Sequence, residues 1–167
     1  MQMRTLMGIA VGLLLGVAVT LALSPTQAEG MRITTVRGIN HVGLNVDNFE
    51  DSVAFYTQKM GFREVEREND DKGAVARVFL QAGPRTFLEI APATANRPAG
   101  LTHFGLQVDS MPGVLSSLKE RGVNGSEARS VGTQWMISSV TAPGSRIELV
   151  ELGPDSPLEK AAVSWGK

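Results

Sequence analysis

A ten-residue pattern occurs twice in this chain and constrains its fold more than any other feature. Gly38-Ile39-Asn40-His41-Val42-Gly43-Leu44-Asn45-Val46-Asp47 and Gly100-Leu101-Thr102-His103-Phe104-Gly105-Leu106-Gln107-Val108-Asp109 share one frame, offset by 62 residues. Glycine and an apolar residue stand three and two places before the histidine; an apolar residue, Gly, Leu, an amide, Val and Asp follow it. Repetition at a fixed offset means that one supersecondary unit is built twice. A helix candidate follows each copy. Asn48 is placed to cap a helix through Met60, with Phe49, Val53, Phe55, Tyr56 and Met60 as its apolar positions and Gly61 at its end. Ser110 is placed to cap a second helix from Pro112, with Val114, Leu115 and Leu118 inward and Gly122 past the end.

The units also close alike, on Phe87-Leu88-Glu89-Ile90 and on Arg146-Ile147-Glu148-Leu149-Val150. Two strand-like runs lie between helix and closing strand in each, 62–67 and 74–81 in the first, 126–130 (weak) and 134–140 in the second. Ala82-Gly83-Pro84-Arg85 and Ala142-Pro143-Gly144-Ser145 supply the last turns. The fold class read from this is α+β, two βαβββ modules over residues 38–91 and 100–152, forming a cupped mixed sheet with helices on its outer face. A Pro-rich joint spans 92–100, and 153–167 reads as a loosely packed tail.

Side chains alternate along strands. Val42, Leu44 and Val46 therefore oppose His41, Gly43 and Asn45, and Phe104, Leu106 and Val108 oppose His103, Gly105 and Gln107. In the closing strands Leu88 and Ile90 oppose Glu89, and Ile147 and Leu149 oppose Glu148. Each strand has one apolar face for the helices and one face bearing a His or a Glu, where glycine leaves room. A single such residue would be an ordinary structural histidine or a solvated glutamate. The chain has only two histidines, however, and they hold the same place in both repeats, as do the two glutamates. His41, Glu89, His103 and Glu148 thus form a mixed nitrogen–oxygen set suited to one divalent ion among Zn, Ni, Co, Mn and Fe, with positions left for water or substrate. Arg77, Arg85, Arg97 and Arg146 are candidates to grip an anionic substrate. Trp135 and Met136 are candidates to line the cup, as are Asn45 and Gln107 by parity.

The first 28 residues read differently. Arg4 precedes an apolar run over Met7–Leu23, and Ser24-Pro25 leads into Thr26-Gln27-Ala28, small residues where a signal peptidase reads. This is an export-signal pattern, cut near Ala28, followed by a leader over 29–37 and implying a periplasmic or secreted protein. An uncleaved membrane anchor is the rival reading, the run lying at the lower edge of bilayer length. The charge is −1, or −2 once Arg4 is removed, without a basic stripe, so nucleic acid is not an expected partner, nor is a membrane after cleavage. The absence of cysteine excludes disulfides, thiolate ligands and a cysteine nucleophile.

The motifs carrying these residues resemble the vicinal oxygen chelate superfamily, which groups glyoxalase I, bleomycin-resistance and extradiol-dioxygenase-like proteins. The resemblance rests on Ile39–Leu44, on Ala54-Phe55-Tyr56 ahead of Met60-Gly61-Phe62, on His103–Val108 and on Pro143–Glu151. It covers about residues 36–152. Membership implies a metal at the mouth of a cup of paired modules, held from the first and last strands of each, which map onto His41, Glu89, His103 and Glu148. A filled four-residue set is similar to that of glyoxalase I and methylmalonyl-CoA epimerase. It implies an exported lyase or isomerase that stabilises an enediolate of a small oxygen-chelating substrate, with Glu148 as general base and Glu89 in the same role on the other face. Other members imply alternatives: a small-molecule sequestering protein, or a thiol transferase or dioxygenase using His41, His103 and Glu148. Export separates the chain from glutathione and coenzyme A thioesters. Dimers are common in this fold, so a homodimer is an expectation by analogy.

Overall fold

A computed structural model describes residues 35–131 and 135–167. The expectations for the export signal, and the part of the leader before Thr35, lie outside the described residues, as does Gln134. The first module comprises β1 (Val36–Val46), helix α1 (Phe49–Ala54) continuing into a π-helical turn (Phe55–Lys59), β2 (Arg63–Asn69), β3 (Val75–Gly83) and β4 (Thr86–Pro92). The second comprises β5 (Gly100–Val108), α2 (Met111–Glu120), β6 (Arg129–Val131), β7 (Trp135–Ala142) and β8 (Ser145–Leu152). A further helix, α3 (Pro157–Val163), follows. The two βαβββ modules form one mixed eight-stranded sheet in the order β2-β3-β4-β1-β5-β8-β7-β6. Each first strand runs parallel to its own closing strand, and β1 pairs antiparallel with β5 at the centre. The modules therefore join within one chain, and the repeat becomes a pseudo-two-fold about the β1/β5 seam.

Local chemistry explains the helices. Ser110 caps α2, its Oγ accepting from Gly113 N at 3.3 Å, and the Glu151 carboxylate accepts from Met111 N at 2.5 Å, at the positive end of the helix. The first helix departs from expectation. Asn48 makes no side-chain cap. The extra residue of the π turn shifts the helical phase, so Tyr56 packs with Val53, Phe49 and Phe62 against Val78, Leu80 and Ile90, while Phe55 and Met60 are about half exposed.

One more expectation is corrected. The segment after 152 is not loosely packed. Ser156 caps α3, which buries Leu158 and Ala161 against Phe79, Phe87, Ile137 and Val150. Those four residues lie on the cup side of the sheet, sharing it with Glu89 and Glu148 by register and parity. The cup thus has an apolar floor, closed by the C-terminal helix. Gln81 donates from Nε2 to the Ala161 carbonyl at 3.1 Å, and Arg85 grips Glu159 through two bonds of 2.8 Å. The outer face carries α1 and α2 as expected, and at the central seam Val42, Leu44, Phe104 and Leu106 are half-buried there, whereas His41 and His103 on the inner face are buried.

Candidate metal centre

Four polar side chains buried on one sheet face need a physical reason, because unpaired buried charge is costly. The β1/β5 register supplies the placement. His41 lies opposite Gly105, and His103 lies opposite Gly43. A Cβ on Gly105 would run into the His41 ring, and one on Gly43 would meet the ring of His103. Each imidazole thus lies over the glycine of the other repeat, which is why the pattern places glycine two residues after histidine. The parallel pairing of β1 with β4 and β5 with β8 then brings in Glu89 and Glu148.

The Nε2 atoms of His41 and His103 face each other at 2.9 Å. Glu89 Oε2 lies 3.6 Å from the first and 3.5 Å from the second, and Glu148 Oε2 lies 3.5 Å from both. All four ligand atoms fall within 4.8 Å of one another. Ligands about 2.1 Å from a shared ion are about 3.0 to 3.4 Å apart between neighbours, so the residues fit a divalent cation with little movement. Glu89 Oε2 supports the fit independently: it is buried, lacks a hydrogen-bond partner and points into this group.

The carboxyls are held in the charged form. Burial pushes Glu148 toward protonation, but its hydrogen bond with His41 and the charges of His103, His41 and Arg146 outweigh that, leaving it at about 2. For Glu89, burial is outweighed by His103, His41 and Arg77 together, and its value is lowered. Metal binding requires ionised carboxylates, so both are in the state a cation needs.

The residues preceding each histidine were not singled out from the sequence, and they orient the rings. Asn40 Oδ1 lies 3.0 Å from Nδ1 of His41, and Thr102 Oγ1 lies 2.8 Å from Nδ1 of His103. Outer partners of this kind fix which ring nitrogen faces a metal. The readable signal was a hydrogen-bonding residue at the same variable place in both repeats.

A cleft of about 570 Å³ opens beside the group, lined by Glu89 and His103 and by Arg77, Arg97 and Arg146. Asn45 lines it too and donates to the Pro98 carbonyl at 3.2 Å, fastening the joint between modules. The other candidates fall elsewhere. Arg85 is engaged with α3, and Gln107 lines a separate cleft with Arg37 and Glu151. Met136 pairs with Glu151, placing it on the helix-covered face rather than in the cup; the side chain of Trp135 lies outside the described residues.

A cupped sheet from two βαβββ modules, with a two-histidine, two-glutamate group at its seam that could hold a metal ion, is the architecture of the vicinal oxygen chelate class. The profile of the Glyoxalase/Bleomycin resistance protein/Dioxygenase superfamily matches residues 38–139, and the chain belongs to that superfamily. The "Probable lactoylglutathione lyase, chloroplastic" of Arabidopsis thaliana is 26% identical over 128 residues, 71% of this chain and 37% of the plant protein. The chain therefore spans little more than a third of that relative. The uncharacterized protein YwkD of Bacillus subtilis is 25% identical over 95 residues, 53% of this chain and 74% of that protein. Among solved structures, methylmalonyl-CoA epimerase from Mycobacterium tuberculosis superposes with a TM-score of 0.63 at 24% identity, over 72% of this chain and 91% of the epimerase. A Streptomyces coelicolor methylmalonyl-CoA epimerase solved with 2-nitronate-propionyl-CoA gives 0.59 at 17%, over 71% and 99%.

Proposed function

We propose that the protein is a metal-dependent lyase or isomerase of the glyoxalase type, moving a proton at a carbon next to a carbonyl of a small oxygen-chelating substrate. The convergence of two imidazole nitrogens and two carboxylate oxygens, all buried, beside an open cleft carries this reading. A divalent ion held by His41, Glu89, His103 and Glu148 would supply Lewis-acid stabilisation of the charge that develops on the substrate's oxygens. Glu148 accepts the proton, and Glu89, from the other module, serves the opposite face of the substrate. Burial is the largest single influence on both carboxyls and favours proton uptake; the imidazole charges oppose it in the metal-free site.

The relatives named lactoylglutathione lyase and methylmalonyl-CoA epimerase support an enzyme. The apolar run and the small residues before Glu29 support export to the periplasm or exterior, which argues for a substrate other than a glutathione or coenzyme A conjugate. A homodimer would cover the half-buried seam of Val42, Leu44, Phe104 and Leu106.

The test begins with metal analysis of protein purified without a histidine tag. Solvent deuterium uptake by α-hydroxycarbonyl compounds and hemithioacetals follows. One ion per chain is expected, with exchange at the substrate carbon that Glu148→Gln abolishes. Retained exchange in that variant removes Glu148 as base. A chain that takes up no metal even on reconstitution, yet holds small molecules without turnover, would be a sequestering protein instead.

A further inference from the structure

The C-terminal helix fills the part of the cup over Phe79, Phe87, Ile137 and Val150. The cleft beside the candidate metal centre extends the other way, from Glu89 and His103 to the joint between the modules, where Arg97 lines it. Little side chain stands between these two ends. Ala91 follows Glu89 by two residues on the same strand face, and Ala99 and Gly100 line the joint side.

The joint that carries Arg97 is a fixed turn rather than a slack linker. Thr94 and Arg97 exchange both backbone bonds, at 2.8 and 3.0 Å. The turn is clamped to the end of β1 on either side. Ala93 N donates to the Val46 carbonyl at 2.8 Å, and Asn45 Nδ2 donates to the Pro98 carbonyl at 3.2 Å. Pro98 also restricts the Arg97 backbone to extended conformations. Three arginines line the cleft, and two of them are engaged within the protein. Arg77 donates to Glu68 Oε2 from Nε at 3.0 Å and from Nη2 at 2.7 Å. Arg146 donates to Glu148 Oε1 at 2.9 Å, and its Nη2 lies 2.8 Å from Nδ1 of His103. The Arg97 side chain is exposed and, among the described residues, has no hydrogen bond or ion pair. A guanidinium on a fixed backbone, unmatched by an acid, is equipped to take a carboxylate through paired N–H donors.

Resting on the metal-dependent reading, we infer that Arg97 selects the substrate by a second carboxylate that does not chelate the ion. The substrate class is a bifunctional acid. Its head is a 2-hydroxy or 2-oxo acid whose oxygens reach the ion, a short apolar spacer crosses Ala91 and Ala99, and a carboxylate tail pairs with Arg97 at the rim. The clamped turn confines the entropy lost on binding to the Arg97 side chain itself. A pair at an open rim stays partly solvated, so it contributes discrimination between tails more than overall affinity.

The test uses untagged protein loaded with Zn²⁺ and two probes, 2-hydroxyglutarate and 2-hydroxyglutaramate, which share a head and a length and differ in the charge of the tail. Calorimetric titration of the wild type is expected to show a roughly fivefold to tenfold preference for 2-hydroxyglutarate, shrinking at high salt. Arg97→Met should lose that preference while binding 2-hydroxyglutaramate like wild type. Arg97→Lys, which keeps a charge, should retain part of it. Zinc content and thermal melts of both variants should match wild type, since the exposed Arg97 side chain supports neither the ligands nor the core. Binding of neither probe, no preference in wild type, a preference that survives Arg97→Met, or an equal loss of both probes in that variant overturns the inference and leaves the proposed function standing. Loss of zinc from Arg97→Met overturns it too, because Arg97 would then serve the metal centre. A wild-type protein that holds no divalent ion even after reconstitution removes the metal-dependent reading and this inference with it.

Discussion

Gly105→Ala tests the seam on which the centre depends. The added Cβ would overlap Cε1, Nδ1 and Nε2 of His41, and the ring would have to withdraw by roughly 1 Å to restore ordinary contact. It has nowhere to go. His41 is fully buried, Phe79 stands edge-on to it at 5.9 Å, and His103 stands edge-on at 5.0 Å. Overpacking of this kind costs about 1–3 kcal/mol. Gly105 lies outside the left-handed region, so alanine also recovers about 0.4–1 kcal/mol by restricting the unfolded chain. The overlap wins, leaving a net loss of about 1–2 kcal/mol, or roughly 3–8 °C in melting temperature for a domain of this size. The larger effect falls on the metal. A ligand nitrogen displaced by this much lies outside the tolerance of a working site, about 0.5 Å, and affinity should fall at least 10–100-fold. Chelator-competition titration reads the affinity, and circular dichroism melts with and without EDTA read the stability. A Gly105→Ala protein that holds metal like wild type would refute the claim that His41 occupies the space this glycine vacates.

Asn40→Ala and Thr102→Val should each weaken metal binding about 10–100-fold, with smaller effects on the metal-free melt, because each removes the partner that orients one ring; equal affinity by titration would reduce these residues to packing. Leu158→Ala should destabilise the protein by about 2–5 kcal/mol in urea unfolding, since Leu158 is buried in the cup floor against Phe79 and Phe87; a loss within error would return the C-terminal segment to a loose tail. Glu148 titrates at about 2 in the fold against an ordinary value of 4.5, so its contribution to the stability of the metal-free protein is complete above pH 4.5 and is lost as pH falls toward 2. Unfolding curves over that window should steepen in wild type and flatten in Glu148→Gln, and matching slopes would contradict the pairing.

The repeat was legible because it is a pattern of residue types, and such patterns survive in one dimension. His41 and His103 at equivalent places, with glycine two residues on, gave the module, the strand parity and the four ligand candidates; parity is a local property of extended chain. Other features depend on distance in space. No local signal says that β1 pairs with β5 within the chain, yet that register sets each imidazole over the other repeat's glycine. Phe79, Phe87, Ile137 and Val150 read as ordinary strand residues, and only the curvature of the sheet turns them into a floor for Leu158 and Ala161. Phe55 and Met60 matched a helical period, and one π turn rotated them outward. The sequence alone therefore determined which residue types could ligate and that they come in pairs, because alternation and repetition are encoded locally. The tertiary structure alone decided that four of them meet within 4.8 Å and that Arg146 shares His103 with Thr102, because both follow from how distant strands align.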